Sequence, residues 1–148
     1  MTTLDPEDFR RQMASSPLGS VERLDVDRPL RDVAAAFRER APACLKTTTK
    51  TYGGPAVRYT MRVVNYTPTV VATDSRVELH LQARYEAPIA LHDQGPNGTY
   101  VFVAHATPLD ARRTRLETWA IAMNSEGLRG AVKAWANGSF SGCPDLSY

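Results

Sequence analysis

The chain has little of the material from which most active sites are built. Only three histidines occur in 148 residues. His80, His92 and His105 share no helix face and no ligand-like spacing, so no metal site is expected. The two cysteines, Cys44 and Cys143, form no Cys-x-x-Cys pair, which argues against a zinc knuckle or a thioredoxin-type centre. No Gly-x-Ser-x-Gly elbow, phosphate loop or dinucleotide fingerprint is present, and no cofactor is expected. No apolar run approaches the roughly 20 residues that span a bilayer, so no transmembrane segment is expected. Lysine is scarce: Lys46, Lys50 and Lys133 are the only ones, and arginine supplies the rest of the 18 basic residues. Set against 16 acidic residues, the net charge is only +2, too small for a dedicated nucleic-acid protein. Arg112, Arg113 and Arg115 cluster without interleaved aromatics and read as a solvated, salt-bridged corner.

What is present is an ordinary globular composition, 43% apolar and 23% charged, consistent with one core. Asp5-Pro6-Glu7-Asp8 is a helix start, with Phe9 and Met13 on one stripe. Residues 1–20 read as an N-terminal helix or tether, and residues 21–148 as a single domain. Val21–Val26 alternates as a first strand. Leu30, Val33, Ala34, Phe37 and Ala41 recur at helical spacing, and Pro42 is expected to end that helix. In Val57–Tyr66, Val57, Tyr59, Met61 and Val63 share one parity, and Pro68 is expected to bend the chain. Val77–Tyr85 is the clearest amphipathic strand: Val77, Leu79, Leu81, Ala83 and Tyr85 point one way, with His80 toward solvent. Ile89–His92 suggests a short strand. Thr99–Met123 reads as a hairpin, and its first strand is apolar on both parities, as expected mid-sheet. Ser125 opens a last helix, with Leu128, Ala131, Val132 and Trp135 on one face and Gly138 at its end.

The resulting order is strand, helix, about six strands, helix, an α+β layer architecture. It resembles the helix-grip fold of the START-like (SRPBCC) superfamily, which includes polyketide cyclases and lipid-transfer domains. The resemblance runs from Val21 to Leu146 and is carried by Val21–Val33 and Ala106–Leu116. A narrower resemblance is to small uncharacterised bacterial envelope proteins. It is carried by Ala41-Pro42-Ala43-Cys44-Leu45, Pro68-Thr69-Val70-Val71, Val77-Glu78-Leu79-His80 and Gly142-Cys143-Pro144-Asp145-Leu146. The helix-grip resemblance implies a sheet of six to seven strands with the C-terminal helix packed on it. The narrower one implies that Cys44 and Cys143 pair. Read from the residues alone, the cysteines are either two buried thiols or one long-range bridge. Pairing implies the periplasm or the cell exterior; free thiols imply the cytoplasm. No apolar signal segment is visible in residues 1–20.

The resemblance also implies a pocket between the sheet and the last helix. Tyr59, Met61, Leu79, Leu81, Tyr85 and Phe102 would line it from the strands. Thr118 would join them, with Leu128, Val132 and Trp135 from the helix. The alternative is that the same residues fill a closed core. Three functions follow. One is non-enzymatic binding of a small apolar or lipid-like molecule. A second is cyclase- or hydratase-type catalysis using Tyr59, Tyr85 or His105, with Asp110 orienting His105. The third is a structural or interaction role in the bacterial envelope, through the sheet face or Trp119 and Ile121, which leaves homo-oligomerisation open.

Overall fold

A computed structural model describes residues 5–52, 61–86 and 94–147. The described elements are α1 (Pro6–Ser15), β1 (Gly19–Val26), α2 (Leu30–Leu45), β2 (Thr47–Tyr52), β3 (Met61–Ala72), β4 (Val77–Glu86), β5 (Thr99–Pro108), β6 (Thr114–Ile121) and α3 (Glu126–Ala136). The architecture is the expected α+β. A six-stranded antiparallel sheet has the order β1-β6-β5-β4-β3-β2, so β2 to β6 form a meander and β1 returns to pair with β6. Tyr59, the Gly53-Gly54 turn and the Ile89–His92 strand lie outside the described residues.

Strand alternation decides what each sheet face carries. Val77, Leu79, Leu81 and Ala83 of β4 project to the inner face, with Leu116 and Ala120 of β6 beside them, and all are buried. The α2 stripe of Val33, Phe37, Ala41 and Leu45 packs over β3, β4 and β5, and α3 lies beside α2 against β6. On the outer face, Val103 and Trp119 are covered by Phe9 of α1. Strand β5 is therefore buried on both faces, as its double-parity apolar run predicts.

Two prolines behave differently from expectation. Pro42 does not end α2, which runs to Leu45. It sits in the last turn, exposed, while Cys44 and Leu45 are buried and hold that turn against the core. Pro68 does not bend β3, which continues to Ala72 with Pro68 opposite Leu81. Beyond Tyr66, β3 has no β2 partner, so a missing N–H on that open edge removes no ladder bond.

The start of α1 follows its sequence signal: the Asp5 carboxylate accepts from the Glu7 amide at 2.8 Å, with Pro6 at the first turn. Helix α3 is held less locally. The Ser125 side chain makes no cap bond. Instead Arg129, 4% exposed, reaches back to β1 and β6. It donates to Thr118 Oγ1 (2.7 Å), Ser20 Oγ (2.6 Å) and the Ser20 and Thr118 carbonyls, and its Nε lies 3.0 Å from Glu22 Oε2. Lys133 Nζ also meets Glu22, at 2.6 Å. The Lys133 hydrogen bond is the largest influence on the Glu22 carboxyl and lowers its pKa against the upward push of burial. Gly138 ends the helix at φ 83°, the left-handed conformation its position predicts.

Cys44 and Cys143 form a disulfide with a Cα–Cα distance of 5.1 Å. It ties the C-terminal tail to the end of α2. The tail then places Leu146 in the core, and its carbonyl accepts from the Tyr66 hydroxyl at 3.2 Å.

Candidate functional site

The inner face of the sheet is not filled everywhere. Towards the β6–α3 connection, α2 no longer covers the strands, and a recess of about 100 Å³ remains. Val64, Leu81, Phe102 and Leu128 line it, and Tyr66, Tyr85 and Leu146 add to its wall. Polar groups flank it: Thr49, Thr51 and Arg62 from β2 and β3, and Asn124 from the β6–α3 connection. Asn124 has φ 63°, a left-handed turn that asparagine tolerates better than most residues. Arg62 lies over the Tyr85 ring at 5.1 Å. The Gln94 side chain fixes the end of β4 by bonding both the Tyr85 amide (2.8 Å) and its carbonyl (2.9 Å). The mouth carries exposed apolar side chains, Ile121 (45%) and Met123 (73%).

Four of the residues expected in a pocket come together here: Leu81, Tyr85, Phe102 and Leu128. The others do not. Leu79, Val132 and Trp135 are buried in closed core, so the space lies under the first turn of α3 and does not reach Trp135. Thr118 is fully buried but bonds Arg129. Met61 is exposed on the opposite face of β3, because the register sets Val64 and Tyr66 opposite the inward Tyr85 and Ala83. The inward parity of β3 is thus the even one, which brings Arg62, Val64 and Tyr66 to the recess. Val101 also lines it, although strict alternation would set it on the other face from Phe102. The cause is a bulge: Leu81 pairs with Phe102 but Gln82 with Tyr100, which leaves Val101 unpaired.

The histidines of the outer face also depart from the sequence reading. Strand parity sends His80 to solvent, yet it is buried, because the adjoining Val103 and Tyr100 are roofed by α1. Asp110 does not orient His105. Asp110 is exposed and accepts from the Arg112 and Arg113 amides at 2.8 Å and from the Arg113 side chain at 2.9 Å. The partner of His105 is Glu78, and Glu78 also meets His80, so two histidines that share no ligand-like spacing in sequence converge on a carboxylate the sequence reading did not single out. Burial, with the Arg10 charge, pushes the His105 imidazole down to about 4 against the pull of Glu78. Burial raises the Glu78 carboxyl, but the His80 hydrogen bond and the His105 and Arg76 charges outweigh it and leave its pKa low. Tyr85 and His105 lie on opposite faces of the sheet, so they do not form a common acid–base pair. Trp119 is covered by α1 rather than presented as a contact surface, while Ile121 remains exposed.

No family model matches the chain, and no curated protein matches it. Among solved structures, it is similar to a hypothetical protein from Helicobacter pylori at 12% identity, over 93% of this chain and 96% of that one, with a TM-score of 0.47. A protein from Rhizobium loti is similar at 12% identity over 82% and 96% of the two chains, TM-score 0.41. The di-domain ARO/CYC BexL from the BE-7585A biosynthetic pathway is similar at 10% identity over 80% of this chain and 44% of that one, TM-score 0.35.

Proposed function

We propose that this chain is a helix-grip-type binding protein that holds the end of a small apolar or lipid-like molecule, without catalysing a reaction on it. The observation that carries this reading is the apolar recess beneath Leu128. At about 100 Å³ it is well below the ~300–1,000 Å³ of sites that enclose a drug-sized ligand. It is nearer the size of a cavity of ~150 Å³ that stays dry and takes up benzene. It therefore suits a chain end or one ring, with the remainder of the ligand running out over Ile121 and Met123. Leu18 extends that exposed lip, since its carbonyl accepts from the Ala122 amide at 2.8 Å. Arg62, stacked over the Tyr85 ring in the wall of the recess, supplies a cation for a polar or anionic group of the ligand.

The disulfide and the lack, among the described residues, of a helix long and apolar enough to cross a membrane fit action in an oxidising compartment such as the periplasm. Native mass spectrometry after gentle purification tests the binding reading, followed by delipidation and titration with dodecanoate. The expected result is an apolar passenger on the isolated chain or saturable dodecanoate binding. The absence of both a passenger and saturable binding would overturn it.

A further inference from the structure

The outer face of the sheet carries a cluster that ligand binding in the recess does not use. Glu78 and His80 leave β4 two residues apart and so project from the same face. His105 stands directly opposite Glu78 on β5. Glu78 Oε1 lies 3.0 Å from His80 Nε2 and 3.2 Å from His105 Nε2. All three donor atoms lie within 4.8 Å of one another. Neighbouring donors around one ion, each about 2.0–2.1 Å from it, stand roughly 3–3.4 Å apart. An ion can enter once the carboxylate rotates out from between the two imidazoles and the rings close on the vacated position.

We propose that Glu78, His80 and His105 bind one divalent transition-metal ion of the class that imidazole and carboxylate ligands favour, with Zn²⁺ as its representative. The three side chains are 21%, 10% and 7% exposed, so the donors are largely withdrawn from water. Their orientations are set from outside the cluster, as in protein metal centres. The second carboxylate oxygen of Glu78 receives Arg76 Nη2 at 3.0 Å. The His80 ring meets Tyr100 edge-on at 5.9 Å, and the His105 ring meets Trp119 edge-on at 5.0 Å.

Three protein donors leave a coordination position for water or an anion. On the α1 side, the Arg10 guanidinium lies 4.5 Å over the same Trp119 ring, and its Nε is buried with no hydrogen-bond partner among the described residues. A water or anion carried by the ion would supply the acceptor that this N–H lacks. Of the positive charges nearby, Arg10 pairs with Glu7 at 2.8 Å, and Arg76 stays on the Glu78 oxygen that does not face the histidines. Bound there, the ion links β4 to β5 beneath α1.

The test uses the full, untagged, oxidised chain, stripped of metal and titrated with Zn²⁺ by calorimetry, with Co²⁺ as the spectroscopic probe. The expected result is one ion per chain. His80→Asn or His105→Asn should each weaken Zn²⁺ binding by more than about tenfold. His92→Asn should leave it unchanged. A wild-type chain that takes up no stoichiometric Zn²⁺ overturns the proposal. So does affinity that survives both His80→Asn and His105→Asn, or that is lost in His92→Asn. Circular dichroism of the metal-free variants checks their fold. If either is unfolded, the Co²⁺-loaded wild-type chain decides by proton NMR: two paramagnetically shifted imidazoles support the site, and fewer overturn it.

Discussion

Cutting the Cys44–Cys143 bridge should act on the recess as well as on stability. The two cysteines are 99 residues apart. In the chain-entropy model, closing a loop of about 100 residues stabilises by up to ~4.7 kcal/mol, provided the native state is unchanged. Here the native state has a way to relax. The tail after α3 is anchored by Leu146, 3% exposed, and by the Tyr66 hydroxyl bond to its carbonyl. Burying one leucine contributes about 1.5–3 kcal/mol and one net hydrogen bond about 1 kcal/mol. Ordering the tail backbone costs about 1–2 kcal/mol per residue over several residues. Without the bridge the tail should therefore leave the core, and its recovered freedom should hold the global loss to about 2–4 kcal/mol. A chain carrying Cys44→Ser and Cys143→Ser, compared with wild type in urea by tryptophan fluorescence, measures that loss. The Leu146 methyl resonances read the tail directly, and they should move to unfolded-chain positions at denaturant concentrations where Trp135 is still buried. An unchanged midpoint together with unmoved Leu146 methyls would refute this reasoning.

Acidification and the buried arginine give two more predictions. His105 titrates at about 4 in the fold against an ordinary 6.5, so the unfolded chain binds the extra proton across that window. Its contribution is complete above pH 6.5 and is lost as pH falls towards 4; the lowered Glu78 carboxyl extends the loss below its ordinary 4.5. A shift of that size corresponds to at most about 3 kcal/mol. Urea midpoints between pH 7 and 4.5 measure it. They should decline in wild type and flatten in His105→Asn, and a flat wild-type profile would contradict the assignment. Arg129→Ala should destabilise by about 3 kcal/mol, because it strips a satisfied buried cation from Thr118, Ser20 and Glu22. Lys133→Ala, at a partly exposed ion pair, should cost less than about 1 kcal/mol by the same urea assay.

The elements were legible where one physical signal dominated. The alternation of Val77–Tyr85 and the double-parity run in β5 translated directly into burial on one face and on both. The site was less legible, because its determinants are not local. The alternation of Tyr59, Met61 and Val63 suggests the odd parity of this stretch as the inward one, whereas pairing with β4 turns Val64 and Tyr66 inward. The bulge at Val101 exists only as a difference in length between paired strands. His80 looked like a solvent-facing residue because nothing in β4 reports that α1 roofs the adjoining strand. Glu78 and His105 are 27 positions apart and meet only through strand register. Arg129 breaks the polar-outside pattern of α3 because Ser20 and Thr118 supply its partners from other strands. In each case the missing information was which strands become neighbours.

Whether the recess beneath Leu128 receives an apolar guest is tested most directly by methyl NMR of the oxidised, delipidated chain titrated with dodecanoate. The predicted result is saturable shifts of the Leu81, Leu128, Leu146 and Val64 methyls, while those of Leu79 and Val132 in the closed core stay in place. No saturable shift, or shifts spread over the exposed surface with those four methyls unmoved, would contradict it.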